Sequence, residues 1–335
     1  MRDFFYQHTP RPTAMLDEAL TGRSHSLFVE LLIFFLVFYI ASIPQSIILS
    51  VIAVANMISD PAFRDAIANV GSYDVSYEKL LEFLTNPPEW VTCINLFSTV
   101  FIILAAVIYC TKIERRPITS MGFRKTKSWI FEYLVGAGVG VGLLAATAGL
   151  VVLFGGGSFS FTPSSFSPVF TVLFLVGYII QGAAEETALR GYFMITLSKR
   201  QNMAVAVFAS SLLFGLLHLA NNGVSLLAVV NITLFGVFLA VYMLKRGSIY
   251  GVLAIHSFWN FTQDKIFGFS VSGQGISSSL FSFTPKFGKA VISGGAFGIE
   301  GGIVTTAVLI IALAVVFFLP TSERELSCSG FVLNV

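Results

Sequence analysis

Apolar residues run in long blocks along most of this chain, separated by short polar or charged stretches. A helix needs about 20 apolar residues to cross a bilayer. Eight blocks meet or approach that length: 27–58, 90–109, 130–154, 169–189 with an extension towards 197, 203–219, 224–244, 248–261 and 303–319. The first is over-long and contains Pro44, which predicts a kink or a projection beyond the membrane. The fifth and seventh are short, and the seventh holds polar residues, so both are expected inside the bundle rather than against lipid. The pattern predicts an all-α fold, a polytopic transmembrane helical bundle of about eight spans.

The stretches between and within the blocks add detail. In the third block Gly136, Gly138, Gly140 and Gly142 form two overlapping GxxxG pairs, a smooth face for close helix packing. Between the first two blocks, 74–85 has the spacing of a short amphipathic helix, with Tyr77, Leu80, Leu81 and Leu84 on one face and Pro87-Pro88 to end it. The Gly- and Ser-rich stretch 262–302 reads as a loop with a re-entrant or surface turn.

Charge sets the orientation. With the N-terminus inside, the inner segments hold 14 Lys and Arg and the outer ones 5, with Arg190 left inside a block. That bias predicts a multi-pass cell-membrane protein with both termini cytoplasmic. Only 11% of the residues are charged, against about 25% in soluble domains, and mean hydropathy is +0.82. No basic stripe suggests nucleic acid. Cys93, Cys110 and Cys328 are scattered, so neither a disulfide framework nor a cysteine metal site is expected. The first 26 residues lack the pattern of a cleaved signal, and the last eight are not a lipidation box.

Against this background the stretch Glu185-Glu186-Thr187-Ala188-Leu189-Arg190 stands out. A charge at the bilayer centre costs roughly 2.5–3.5 kcal/mol on insertion scales, and three lie here within six residues. On a helix Glu186 and Arg190 are one turn apart and can pair, which leaves Glu185 spare. Two further pairs have the same spacing: Phe214 with His218, and His256 with Asn260. Counting about 1.5 Å per residue from the basic inner ends puts Glu185, His218, His256 and Asn260 in one slab about 12 Å thick. Plain readings exist for each. His218, His256, Asn260 and Asn231 all suit hydrogen bonding between helices, Phe214 suits packing, and the Glu186–Arg190 pair suits a structural role. Glu185 is the hardest to explain without function.

Taken in order on successive helices, EExxxR, FxxxH and HxxxN resemble the CPBP family. These are CAAX proteases and bacteriocin-processing enzymes, also called the Abi family, and the likeness is to type II CAAX prenyl endopeptidases. The resemblance covers 115–319 and takes in ERRPITSMGF at 114–123 and GGAFGIEG at 294–301. It divides the chain into a two-span N-terminal region, 1–114, a protease core, 115–319, and a cytoplasmic tail, 320–335. It implies intramembrane cleavage of a peptide or lipidated-protein substrate. Glu185 with His218 would activate a water, His256 and Asn260 would hold the oxyanion, and Glu186, Arg190 and Phe214 would support the site.

The residue types suit that chemistry, because peptide hydrolysis needs a base for water, an acid for the leaving amine and donors for the oxyanion. Ser257 beside His256 is the nearest rival nucleophile, but no His–Asp pair supports it. The family often carries the label metalloprotease. No HExxH is present, however, and His218 and His256 lie on different helices, so no cofactor is expected, with zinc as the alternative. Two other functions fit a membrane carboxylate. One is a non-catalytic partner such as a bacteriocin self-immunity protein; the other is a proton-coupled carrier, for which internal repeats are missing.

Overall fold

The computed structural model describes residues 14–59, 61, 64, 83, 87–124, 128–164, 166–275 and 278–319. A short helix α1 (Ala14–Ala19) precedes α2 (Leu27–Ser59), which runs unbroken through Pro44. Then come α3 (Glu89–Ile113), α4 (Trp129–Leu153), strand β1 (Gly157–Phe161) and α5 (Pro168–Ser198). The chain continues through α6 (Met203–Leu216), α7 (Leu226–Arg246), α8 (Tyr250–Phe261), β2 (Phe281–Pro285) and α9 (Ile303–Phe318).

Each of the eight apolar blocks is thus a helix. Five of them, α2, α3, α4, α5 and α7, are long and apolar enough to cross a membrane, while α6 and α9 are shorter. The seventh block forms α8, 12 residues long and buried along nearly its whole length. Its polar residues are therefore enclosed by protein, as its shortness and polarity predicted. The amphipathic reading of 74–85 falls, apart from residue 83, outside the described residues.

Helix ends follow local chemistry. Asn202 and Ser225 cap α6 and α7 by accepting from Val205 N and Ala228 N at 2.9 and 3.1 Å. Gly247, at φ 65°, ends α7 in the left-handed conformation, with its N–H donating to Met243 O. The basic residues of that last turn are used. Lys245 is buried and donates to the Phe317 and Leu319 carbonyls at 2.9 Å each, closing the end of α9. Arg246 pairs with Glu132 of α4 at 2.9 Å.

The glycine face of α4 divides in two. A Cβ on Gly136 would stand 2.3 Å from Gly251 O, and one on Gly140 would stand 2.4 Å from Ile255 O, so α4 and α8 meet backbone to backbone there. Gly138 and Gly142 face open space. Only one of the two GxxxG pairs is a packing surface among the described residues.

The stretch after α8 is more ordered than a loop. A π-helical turn, Thr262–Ile266, extends α8, and β2 pairs antiparallel with β1 in the register Gly157↔Pro285 to Phe161↔Phe281. Phe159 of β1 packs against Phe267, Phe269 and Phe283, which anchors the ribbon to the end of α8. The sequence reading missed this pair because its strands are five residues long, rich in Gly, Ser and Phe, and more than a hundred residues apart.

The two ends of the bundle differ. Lys112, Arg116, Lys199, Lys245 and Arg246 gather at one end, where fully buried Arg116 binds Glu114 at 2.5 Å and Ser120 at 2.8 Å. Lys199 also reaches Glu114, at 3.0 Å. The ribbon, the residues after α8 and the start of α3 lie at the other end, joined by Lys265, which reaches Glu89 at 2.9 Å.

Candidate active site

The site is built on α5. Its α-helical part ends at Glu186, and the next eight residues, Thr187–Met194, form a π-helix before the α-helix resumes. Segments of this kind are rare and frequent at functional sites. The wider turn carries Arg190, whose side chain is fully buried and donates to Glu186 Oε1 at 2.9 Å. The guanidinium also stands over the Phe214 ring, 4.7 Å from its centroid. Gly236 makes room for it, since a Cβ there would lie 2.7 Å from the guanidinium.

Glu186 has a second partner. His256 Nδ1, from α8, lies 2.8 Å from the same Oε1. A carboxylate only accepts, so this contact holds the proton on Nδ1 and turns Nε2 towards Glu185, whose Oε2 is 3.6 Å away. On a neutral ring Nε2 then carries no proton; it becomes a donor in the imidazolium form. The rings of Phe214 and Phe235 meet His256 edge-on at 5.8 and 5.6 Å and fix its plane.

Glu185 is about a quarter exposed, and its Oε1 accepts a short hydrogen bond from Gln181 one turn earlier. Gln181 Oε1 in turn accepts from Asn260 Nδ2 at 3.0 Å. A polar series therefore runs Asn260, Gln181, Glu185, His256, Glu186, Arg190, hydrogen-bonded at each step except the 3.6 Å gap between Glu185 and His256. Gln181 was not among the residues singled out from sequence. The available signal was its position, one turn before Glu185 in the same apolar block.

His218 stands apart from this series. It lies two residues beyond the end of α6, is half-buried, and its Nδ1 lies 2.8 Å from Phe214 O. A carbonyl only accepts, so Nδ1 carries the proton and Nε2 is left as an acceptor. No hydrogen bond or ion pair joins His218 to Glu185 among the described residues, but both line one cavity of about 580 Å³. Gln181, Phe214, His256 and Asn260 line it too. Ser257 does not, and its hydroxyl donates to Leu253 O at 2.7 Å. Asn231 lines the cavity while tying α7 to the start of α9, donating to the Glu300 and Gly302 carbonyls at 2.7 and 2.9 Å.

His256 gives one ring nitrogen to Glu186 and His218 gives one to a backbone carbonyl, support that metal-bound histidines also receive, and each keeps its Nε2. Among the described residues no three His, Cys, Asp or Glu side chains converge as a metal would require.

Residues 167–262 match the family model described as type II CAAX prenyl endopeptidase, Rce1-like. The match runs from the cap of α5 to the end of α8 and so contains Gln181, Glu185, Glu186, Arg190, Phe214, His218, His256 and Asn260. It agrees with the resemblance carried by the three motifs. Among curated proteins, no relative matches the chain.

Proposed function

We propose that this protein is an intramembrane endopeptidase that hydrolyses a peptide bond of a membrane-associated or lipidated peptide by direct attack of water. The observation that carries the reading is the state of Glu185. Its Oε1 is held by Gln181, while its Oε2 is buried beside His256 Nε2, 3.6 Å away, with no hydrogen-bond partner among the described residues. A buried carboxylate oxygen left unsatisfied calls for a proton, and a water reaching it would supply one.

In this reading a water standing between Glu185 and His218 attacks the scissile carbonyl carbon. Glu185 Oε2 takes one of its protons. His218, with Nε2 open as an acceptor, helps to align the water; as the C–N bond breaks, the proton taken by Glu185 passes through His218 to the leaving amine, which gives a free carboxylate and an amine and restores Glu185. The carbonyl oxygen becomes an oxyanion, which needs donors aimed at it. Asn260 has a second amide hydrogen beyond the one given to Gln181. His256 supplies a further donor when protonated, its charge set against the oxyanion it would hold. Glu186 and Arg190 hold this ring rather than touch the substrate, and Phe214 packs between Arg190, His218 and His256. The family match supports the peptidase class. Membrane peptides from cells carrying the wild type and Glu185→Gln provide the test. A species that accumulates only with the variant is the expected substrate; identical peptide profiles would count against the reading.

A further inference from the structure

Arg116 does not line the cavity, yet it grips the helix that carries Glu185, Glu186 and Arg190. Its side chain is fully buried, and all three of its nitrogens donate. Nε binds Glu114 Oε2 at 2.5 Å and Nη1 binds Ser120 Oγ at 2.8 Å, which fixes the plane of the guanidinium. Nη2 then lies 3.2 and 3.3 Å from the Gly191 and Tyr192 carbonyls, inside the π-helix of α5 and directly after Arg190. A return from the π to the α hydrogen-bond ladder offsets carbonyls from the N–H groups that would otherwise serve them. Both carbonyls that Arg116 reaches stand in that stretch.

The chain is shaped to present this side chain. The last turn of α3, Tyr109–Ile113, is itself π-helical, and Arg115 follows at φ 62°, a left-handed backbone that residues other than glycine rarely adopt. Gly191 allows the close approach, since a Cβ there would stand 3.0 Å from Met121 O. Glu114 accepts from Thr196 Oγ1 at 2.9 Å and Lys199 Nζ at 3.0 Å, which ties α3 to α5 beyond the π-helix. The carbonyl bonds of Arg116 fall within the π-helix, next to the residue that pairs with Glu186.

We infer that Arg116 is a positioning residue for the site: it holds the π-helix in register and so keeps Arg190, Glu186 and His256 where they meet. Its effect on cleavage rests on the peptidase reading above; its effect on His256 does not. The test is Arg116→Lys in nanodiscs, which keeps a charge beside Glu114 but lacks the planar fork that reaches the two carbonyls as well. At a Tm near that of the wild type, kcat is expected to fall about tenfold to a hundredfold, the scale of a small misplacement, with KM little changed. NMR of isotope-labelled histidine gives a second readout. The chain has four histidines, and the signal of His256 is the one lost in His256→Gln. Its Nδ1–H resonance, set by the bond to Glu186, is expected to shift in Arg116→Lys. Arg246→Gln, which removes the pair with Glu132 at the same end of the bundle, is the control: Tm falls while kcat and the His256 resonance stay in place. A wild-type kcat or an unmoved His256 resonance in Arg116→Lys would overturn the inference, and so would an equal shift in the control. If Arg116→Lys does not fold, Ser120→Ala, which removes one bond to the guanidinium, decides by the same resonance. A shifted resonance in protein that cleaves no peptide would count against the peptidase reading and leave the role of Arg116 standing.

Discussion

Gln181 and Glu185 sit one turn apart on α5, and the Gln181 amide donates to Glu185 Oε1 while its own oxygen accepts from Asn260. One uncharged side chain therefore orients both the proposed base and a proposed oxyanion donor. Gln181→Leu keeps the size and removes both bonds. It is expected to lower kcat by about tenfold to a hundredfold, since one catalytic donor typically carries about 10²–10³ and Gln181 acts through its neighbours. KM should change little. A Gln181→Leu protein with unchanged kcat would remove this residue from the account.

The ion pair behind the site is expected to matter for folding. Glu186→Ala leaves Arg190 buried without its counter-charge and His256 without its anchor, and breaking a buried pair costs about 3–5 kcal/mol. The yield of folded protein in detergent should fall sharply. The double variant Glu186→Leu with Arg190→Met removes both charges and should recover much of that yield, while cleavage stays absent because His256 is no longer held. Equal yields for the single and double variants would show that the pair does not hold the fold.

The divided glycine face gives a packing prediction. Gly140→Leu forces a side chain into the backbone of α8, where the space to Ile255 O is 2.4 Å, whereas Gly138→Leu points into open space. Overpacking costs about 1–3 kcal/mol or more. Thermal unfolding in detergent should therefore show a lower Tm for Gly140→Leu and a near-unchanged one for Gly138→Leu. Since α8 carries His256 and Asn260, the first variant should also lose activity.

Much of this was legible from polarity alone. The blocks predicted α2 to α9, though not the short α1, and the spacing of Glu186 and Arg190 predicted their pair, because a desolvated charge has few ways to be satisfied. The common depth of Glu185, His218, His256 and Asn260 anticipated the shared cavity. Other features depended on contacts between distant segments. The π-helical turn after Glu186 leaves no mark in hydrophobic spacing. Gln181 looked like one more polar residue until Asn260 approached it from α8. The proton position on His256 follows from Glu186, seventy residues earlier, and it makes Nε2 a donor only in the imidazolium form.

Metal dependence is a separate expectation. Among the described residues no three His, Cys, Asp or Glu side chains group as a zinc site requires, so purified protein should keep its activity after exhaustive chelation. Asn260→Ala should be slow by about 10²–10³ and not be rescued by zinc. Loss of activity with chelator, restored by stoichiometric zinc, would overturn the water-activation scheme and leave the fold unaffected.

The central claim is that Glu185 is the base. The direct measurement is kcat on the captured peptide for purified wild type and Glu185→Gln, reconstituted in nanodiscs and matched for Tm. General-base catalysis contributes about 10²–10⁴ in rate. The account predicts a loss of at least about a hundredfold in kcat with Tm unchanged. A Glu185→Gln protein that turns over at the wild-type rate would contradict it.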